Sequence, residues 1–459
     1  MANKILTVFL LLLIISFIVP ACGEIPSKNN ASSLNGEDAS NGSTPDGESD
    51  TDPNGETGLQ ETNGGSSDLP DLTGETITLF FIGDTSEPFT SITEPIRDGA
   101  DDYVAYLNDT GGLFGATVEL RFAYSGGSEE GMVTAYERFN DGDDDILMLF
   151  LFGPNEETLY GRVNEDRTPT LAFGLSPSAQ DADEDDYVFH LTPTYPDQFI
   201  FFLDFVLNKW EDVKPEGAFD EIKVAFLSWE EEYGQSALTD ETRAYAESLR
   251  IEIVWEETFA KETSASTTAA ILNAEMAGAT VIYTNTHAFG PAALLNDLNN
   301  LAIRNFFVVG GNNWALDAAT FTYLADPAFA DEFYAPFWYA WWSDSENPAI
   351  QLAVDILETN KRSEEEKTAG RLLIQGGLDI ARYAIEQAIL EVGFENLTGE
   401  DVYNVLSQIS GYEVMGGLFY VDYSEGKRSP TTLQIRQAQG DSTDLEIMGD
   451  FTEIPELNP

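Results

Sequence analysis

A chain of 459 residues is long enough for two domains with substantial cores. It carries 81 acidic against 22 basic residues, and the resulting net charge of -59 argues against nucleic acid or anionic lipid headgroups as partners of the folded body. One cysteine and two histidines exclude an intrachain disulfide and a multi-cysteine metal site and leave a zinc site or a histidine triad poorly supplied, so no metal and no cofactor is expected.

Residues 1–21 hold one basic residue, Lys4, ahead of the apolar run from Ile5 to Val19, and read as an export signal. The sequence Val19-Pro20-Ala21-Cys22-Gly23 resembles a bacterial lipobox, in which the cysteine is lipidated, so Cys22 is the expected anchor to a membrane. Residues 22–75 are mainly Ser, Asn, Gly, Asp, Glu and Thr with few large apolar side chains, and read as a solvated acidic tether.

From residue 76 the pattern alternates. Ile77 to Ile82 reads as a strand, the stretch from about Ile92 through Leu107 as a one-sided helix, and Thr117 to Phe122 as a second strand. Asn108, Gly111, Gly112 and Gly115 make the turn between helix and strand. Helical residues 135–139 and the apolar run 146–152, suited to a strand covered on both faces, follow. The second half repeats the theme with strands at 222–227, 251–255, 280–283 and 306–309 and helices at 236–249, 267–277 and 292–301. An aromatic run, Phe337 to Trp342, reads first as packing, then comes an amphipathic helix from Gly376 to Ile389 and a last strand at 434–438.

The Asn-x-x-Gly-Gly-x-x-Gly turn, inside a strand-helix-strand unit and followed by this order of elements, resembles the type I periplasmic binding proteins of the branched-chain amino-acid kind, the solute receptors of ABC importers. The closing segment Val414 to Asp422, with Gly416, Gly417 and Phe419, supports the likeness. The resemblance implies an α/β fold of two doubly wound lobes around a ligand cleft, joined by three hinge crossings near Thr194, Ala335 and Asp422. It places lobe 1 at 76–194 with 336–422, and lobe 2 at 195–335 with 423–459.

The same resemblance assigns ligand contacts. Thr85 and Ser86 lie in the loop after the first strand, Asn155 follows the 146–152 strand, and Ser176 and Ser178 lie in a loop that reads equally as a plain Ser/Pro turn. Pro154 lacks an amide hydrogen, which removes a donor where the family holds a ligand carboxylate. From the second lobe come Tyr195 as a lid, Trp229, His287, Asn312 and Trp314. Asn312 stands where amino-acid receptors place an acid against the ligand's ammonium group, and a neutral amide does not neutralise a buried cation.

The expected function is an extracytoplasmic, lipid-anchored receptor, monomeric, that captures an amino acid or similar small polar solute for an ABC permease. The alternative on the same fold is a ligand-sensing or protein-partner-binding lipoprotein with no transport role. Catalysis is not expected, because adjacent acids such as Glu156 with Glu157 carry little information in so acidic a chain.

Overall fold

Strand β1 (Thr76–Gly83) sends Ile77, Leu79 and Phe81 to one face and Phe80 and Ile82 to the other, and all are buried. Both faces therefore need cover, which the connecting helices supply. The computed structural model describes residues 69–86, 90–142, 145–153, 155–174, 186–216, 221–440 and 443–457, and Ser67–Pro459 is one unit. The export signal, Cys22, the tether up to residue 68, Pro154, Ser176 and Ser178 lie outside the described residues.

After β1 come α1 (Thr90–Asp109), β2 (Thr117–Tyr124), α2 (Glu129–Asn140), β3 (Leu149–Phe152), α3 (Tyr160–Asp166), β4 (Thr170–Ala172) and β5 (Val188–His190). These strands are all parallel, in the order β2-β1-β3-β4-β5. The run expected as a strand from 146 is regular only from Leu149, with Ile146 and Met148 buried beside it.

The chain continues with α4 (Tyr195–Val213), β6 (Lys223–Trp229), α5 (Glu232–Gln235), α6 (Asp240–Ser248), β7 (Glu252–Phe259), α7 (Thr268–Met276), β8 (Val281–Thr284), α8 (Phe289–Asn300), β9 (Val308–Gly311), α9 (Ala318–Tyr323) and β10 (Phe333–Phe337). It then forms α10 (Pro348–Thr359), α11 (Ala369–Val392), α12 (Gly399–Leu406), the pair β11 (Tyr412–Glu413) and β12 (Tyr420–Val421), and finally β13 (Thr432–Ala438), β14 (Leu445–Ile447) and β15 (Thr452–Glu453). The helix expected over 236–249 begins only at Asp240, after the separate turn of α5. Thr239 accepts a bond from Thr242 N at 3.2 Å and Thr242 Oγ1 accepts one from Thr239 N at 2.9 Å, a reciprocal cap that starts α6 afresh.

The second sheet orders its parallel strands β7-β6-β8-β9-β10 and adds β13 and β14 antiparallel at the β10 edge. Its parallel part repeats the first sheet's order, so the chain reverses direction between β1 and β3 in one lobe and between β6 and β8 in the other. Crevices form at the carboxyl ends of strands at such reversals, where α/β proteins hold ligands.

α11 returns to the first lobe and lies along α1. An ionic network, buried at Arg371 and Asp102, fastens it there: Arg371 reaches Asp102 at 2.6 Å and Glu366 at 2.7 Å, while Arg362 holds Asp98 at 2.7 Å and Asp102 at 3.0 Å. The aromatic run after β10 is packing, as its composition implies. Phe337 to Trp342 are buried, and the indoles of Trp341 and Trp342 donate to the carbonyls of Thr443 and Thr368, each at 3.0 Å.

Candidate functional site: the crevice between the two sheets

On the first lobe, β1 is followed by Asp84, whose buried carboxylate accepts Ser86 N at 2.8 Å and Ser86 Oγ at 3.0 Å. That turn fixes Ser86 beside Gly127, whose backbone carbonyl accepts Asn155 Nδ2 at 3.4 Å. Ser86 and Asn155, from the ends of β1 and β3, are thus brought together, and both stay partly open. Thr85 sits in the same turn, its carbonyl accepting Thr90 Oγ1 at 2.6 Å. Glu156 opens the short turn before α3; it is fully buried, and its Oε1 accepts the Tyr160 hydroxyl at 3.2 Å. The Tyr160 ring meets that of His190, at the end of β5, at 5.9 Å.

On the second lobe an amide lattice sets the wall. Asn312 Nδ2 donates to Asn285 Oδ1 at 2.6 Å and to the Tyr233 hydroxyl at 3.0 Å, and its Oδ1 caps Ala315 N at 2.9 Å. Asn285 Nδ2 donates to Tyr233 O at 2.6 Å and Ser236 Oγ at 3.2 Å. Asn312 is therefore engaged inside the wall, holding Tyr233. Around Tyr233 the rings converge: Tyr195 at 5.0 Å, edge-on at 86°, His287 at 5.6 Å and Trp229 at 6.0 Å. His287 stands edge-on to Trp229 at 4.7 Å. The residue after it, Ala288, has φ 49° and ψ -108°, a strained conformation for a non-glycine residue, in the loop that presents the imidazole.

The lobes meet where the Phe152 ring, at the end of β3, lies 6.2 Å from Trp314, which follows β9. A second contact runs from Ala369 N at the start of α11 to Asp317 Oδ1, 2.8 Å. Tyr195, Trp229, His287, Asn312 and Trp314 are all buried.

Electrostatically the crevice lacks an ionised imidazole. Burial lowers His190 to about 4, and burial with the nearby Lys261 charge lowers His287 to about 3, so both rings are neutral at neutral pH. Burial pushes the Tyr195 phenol well up, aided by nearby Tyr233 and Glu156. Its hydroxyl faces Tyr233 and the Trp314 indole without reaching hydrogen-bond geometry with either. Tyr195 OH, Trp229 Nε1, Trp314 Nε1 and His190 Nδ1 have no hydrogen-bond partner among the described residues. Each such buried group costs roughly 1–3 kcal/mol, and their concentration in one crevice marks a place built for something other than stability. Among the described residues no cluster of side chains could hold a metal ion.

Residues 76–443 match the model of a family described as periplasmic binding protein. The chain belongs to that family. The structure resembles a branched-chain amino-acid ABC transporter protein from Thermus thermophilus solved with bound valine, at TM-score 0.71 and 19% identity over 83% of this chain and 97% of that one. It also resembles a fatty-acid ABC transporter substrate-binding protein from Thermomonospora curvata (TM-score 0.69, 19% identity, 85% of this chain and 95% of that one). A solute-binding protein from R. palustris in complex with 4-hydroxybenzoate matches at TM-score 0.65 with 15% identity over 83% of this chain and 98% of that one. No curated protein matches the chain in sequence. The two-lobed, type I periplasmic binding protein architecture expected from the sequence is the one found, and the coarse role that comes with it is extracytoplasmic solute binding. Valine, a fatty acid and an aromatic acid share this fold, so the fold leaves the solute open.

Of the residues the sequence nominated, Thr85, Ser86, Asn155, Tyr195, Trp229, His287, Asn312 and Trp314 lie beside strand ends at the crevice or in its wall, and Ser176 and Ser178 lie outside the described residues. Tyr233, Asn285 and Glu156 were not nominated. Tyr233 had a signal, the Tyr-Gly pair after a strand; Glu156 had none, being one acid among 81 acidic residues.

Proposed function

We propose that the protein captures a small polar solute, an amino acid or related compound, between its lobes and delivers it to an ABC permease. In this reading it is a monomer tethered to a membrane through lipidated Cys22, and binding and closure are the whole of its activity. The lobes are 76–194 with 336–422 and 195–335 with 423–459, and they close as rigid bodies about the three crossings. Thr85, Ser86 and Asn155, with Ser176 and Ser178, serve the solute from one side; Tyr195, Trp229, His287 and Trp314 do so from the other. Asn312 acts by holding Tyr233.

The observation that carries this reading is the convergence of aromatic rings and unpartnered buried polar atoms at the facing strand-order reversals of both sheets. A second reading, a sensing or partner-binding lipoprotein with no transport role, is favoured by one feature: the second-lobe wall is almost wholly enclosed. A thermal-shift screen against amino acids, amides, urea, small carboxylates and sugars separates the two. A solute at a hundred times its dissociation constant stabilises the fold by roughly 2.7 kcal/mol, seen as a shift of a few degrees. Silence across the whole library would favour the second reading and direct the search to a protein partner.

A further inference from the structure

We propose a second binding site, separate from the crevice, for an uncharged molecule with an aromatic or branched apolar body and one amide or hydroxyl group. Strand β13 shows where it lies. Side chains alternate along a strand, so Leu433 and Ile435 share one face and Thr432, Gln434 and Arg436 the other. Leu433 and Ile435 belong to the core, yet Gln434 and Arg436 on the polar face are buried as well, at 3% and 1% exposure. That polar face lines a cavity of about 680 Å³, whose other walls are Trp338 after β10, Leu418 and Phe419 before β12, and Tyr420, Ile447 and Phe451. The volume lies in the range that holds small ligands. None of the crevice side chains named above lines it.

The chain itself fixes these walls. Ala340 N donates to Leu418 O and Asn347 Nδ2 to Gly417 O, each at 2.8 Å, and Arg436 pairs with Asp344 at 2.6 Å. That ion pair decides the charge of the guest. Arg436 is the basic residue of the lining, and both of its terminal nitrogens are held by Asp344, so an incoming carboxylate meets an engaged guanidinium and the exposed Glu346 beside it. An ammonium group, which can only donate, suits the remaining polar atoms no better, because most of them are donors. Trp338 Nε1 and Arg436 Nε are buried N–H groups with no partner among the described residues, and Gln434 Oε1 is a buried acceptor without one. A neutral amide or hydroxyl, donor and acceptor at once, is the group that meets both kinds. The apolar side chains complete the fit. Trp338, Leu418 and Phe419 are buried, whereas Tyr420, Ile447 and Phe451 stay 64%, 50% and 45% exposed, apolar surface that the body of such a guest would cover.

The test titrates the full chain calorimetrically with benzamide and benzyl alcohol as neutral probes, and with benzoate and benzylamine as their charged counterparts. At least one neutral probe should bind about tenfold or more tightly than either charged one, and amide hydrogen exchange should slow in residues 417–420 and 432–436 when it is bound. Thr432→Trp, which puts an indole into the cavity from a half-buried position, should weaken that binding about tenfold or more. Benzoate or benzylamine binding as tightly as the neutral probes overturns the proposal. Protection confined to the loops after β1, β3, β6, β8 and β9 also overturns it, because the probe then sits in the crevice, and so does the absence of binding by all four compounds. If Thr432→Trp does not fold, Phe451→Ala, at an exposed position, takes its place: weaker binding of the neutral probe supports the site, and unchanged binding contradicts it. Failure here leaves solute capture in the crevice standing, since the site shares no named side chain with it.

Discussion

Asn312 shows how one amide can organise a wall. Its two donor bonds, to Asn285 Oδ1 and the Tyr233 hydroxyl, and its cap on Ala315 N all lie within a buried lattice. Asn312→Ala removes three bonds and leaves Asn285 Oδ1 buried without its donor, so unfolding in urea should come at a stability lower by about 2–3 kcal/mol. A loss below about 0.5 kcal/mol would show that the lattice does not hold Tyr233. Asp317 supplies the pH dependence. Burial raises its carboxyl from 3.8 to about 6 against the lowering effect of the Ala369, Ala318 and Ala319 amides. The folded state thus binds this proton more tightly than the unfolded chain, and its contribution to stability is full below 3.8 and falls as pH rises to about 6. Asp317→Asn keeps an oxygen for the Ala369 N–H and has no charge to bury. Relative to the unmodified protein it should be more stable at pH 7 by up to about 3 kcal/mol, two pH units at about 1.4 kcal/mol each, with the gap closing toward pH 4. A gap that stays constant over that range would place the ionised carboxylate in a better-solvated setting than its burial indicates.

The turn between α1 and β2 separates two kinds of glycine. Gly112 has φ +63°, and a β-carbon there would meet Ala116 O at 1.9 Å; Gly111 has φ +115° and open space around it. Gly112→Ala should destabilise by several kcal/mol, well beyond the roughly 1 kcal/mol of backbone strain expected for Gly111→Ala, and thermal melts of the two variants compare them directly. Equal effects would mean that the turn relaxes and the close approach is not a constraint. This turn was legible in the sequence because a glycine's placement reports backbone conformation that other residues rarely adopt. The strand-helix alternation was legible for a related reason: both sheets are covered on two faces, so their strands appear as unbroken apolar runs such as 149–152. The late helix start at Asp240 was less visible, since it depends on two threonines bonding to each other's backbone. The crevice was legible only in outline. Strand ends locate it, but the amide lattice of Asn285, Asn312 and Tyr233 joins residues up to 79 positions apart, a relation that no local pattern records.

Across the molecule, two facing sheets with the same strand order turn two similar crevices toward each other, and the contacts between the lobes include Phe152 with Trp314, Ala369 with Asp317, Trp341 with Thr443 and the Asp344–Arg436 ion pair. In the proposed reading the lobes separate and close about the crossings, which is how a solute becomes enclosed. Among the described residues no helix is long and apolar enough to cross a membrane. The measurement that bears most directly on solute capture between the lobes is amide hydrogen exchange, with and without the solute that most raises the melting temperature. Protection should appear together in the loops after β1 and β3 and in those after β6, β8 and β9, on both lobes at once. Protection confined to one lobe, or to surfaces away from these strand ends, would contradict solute capture in the crevice.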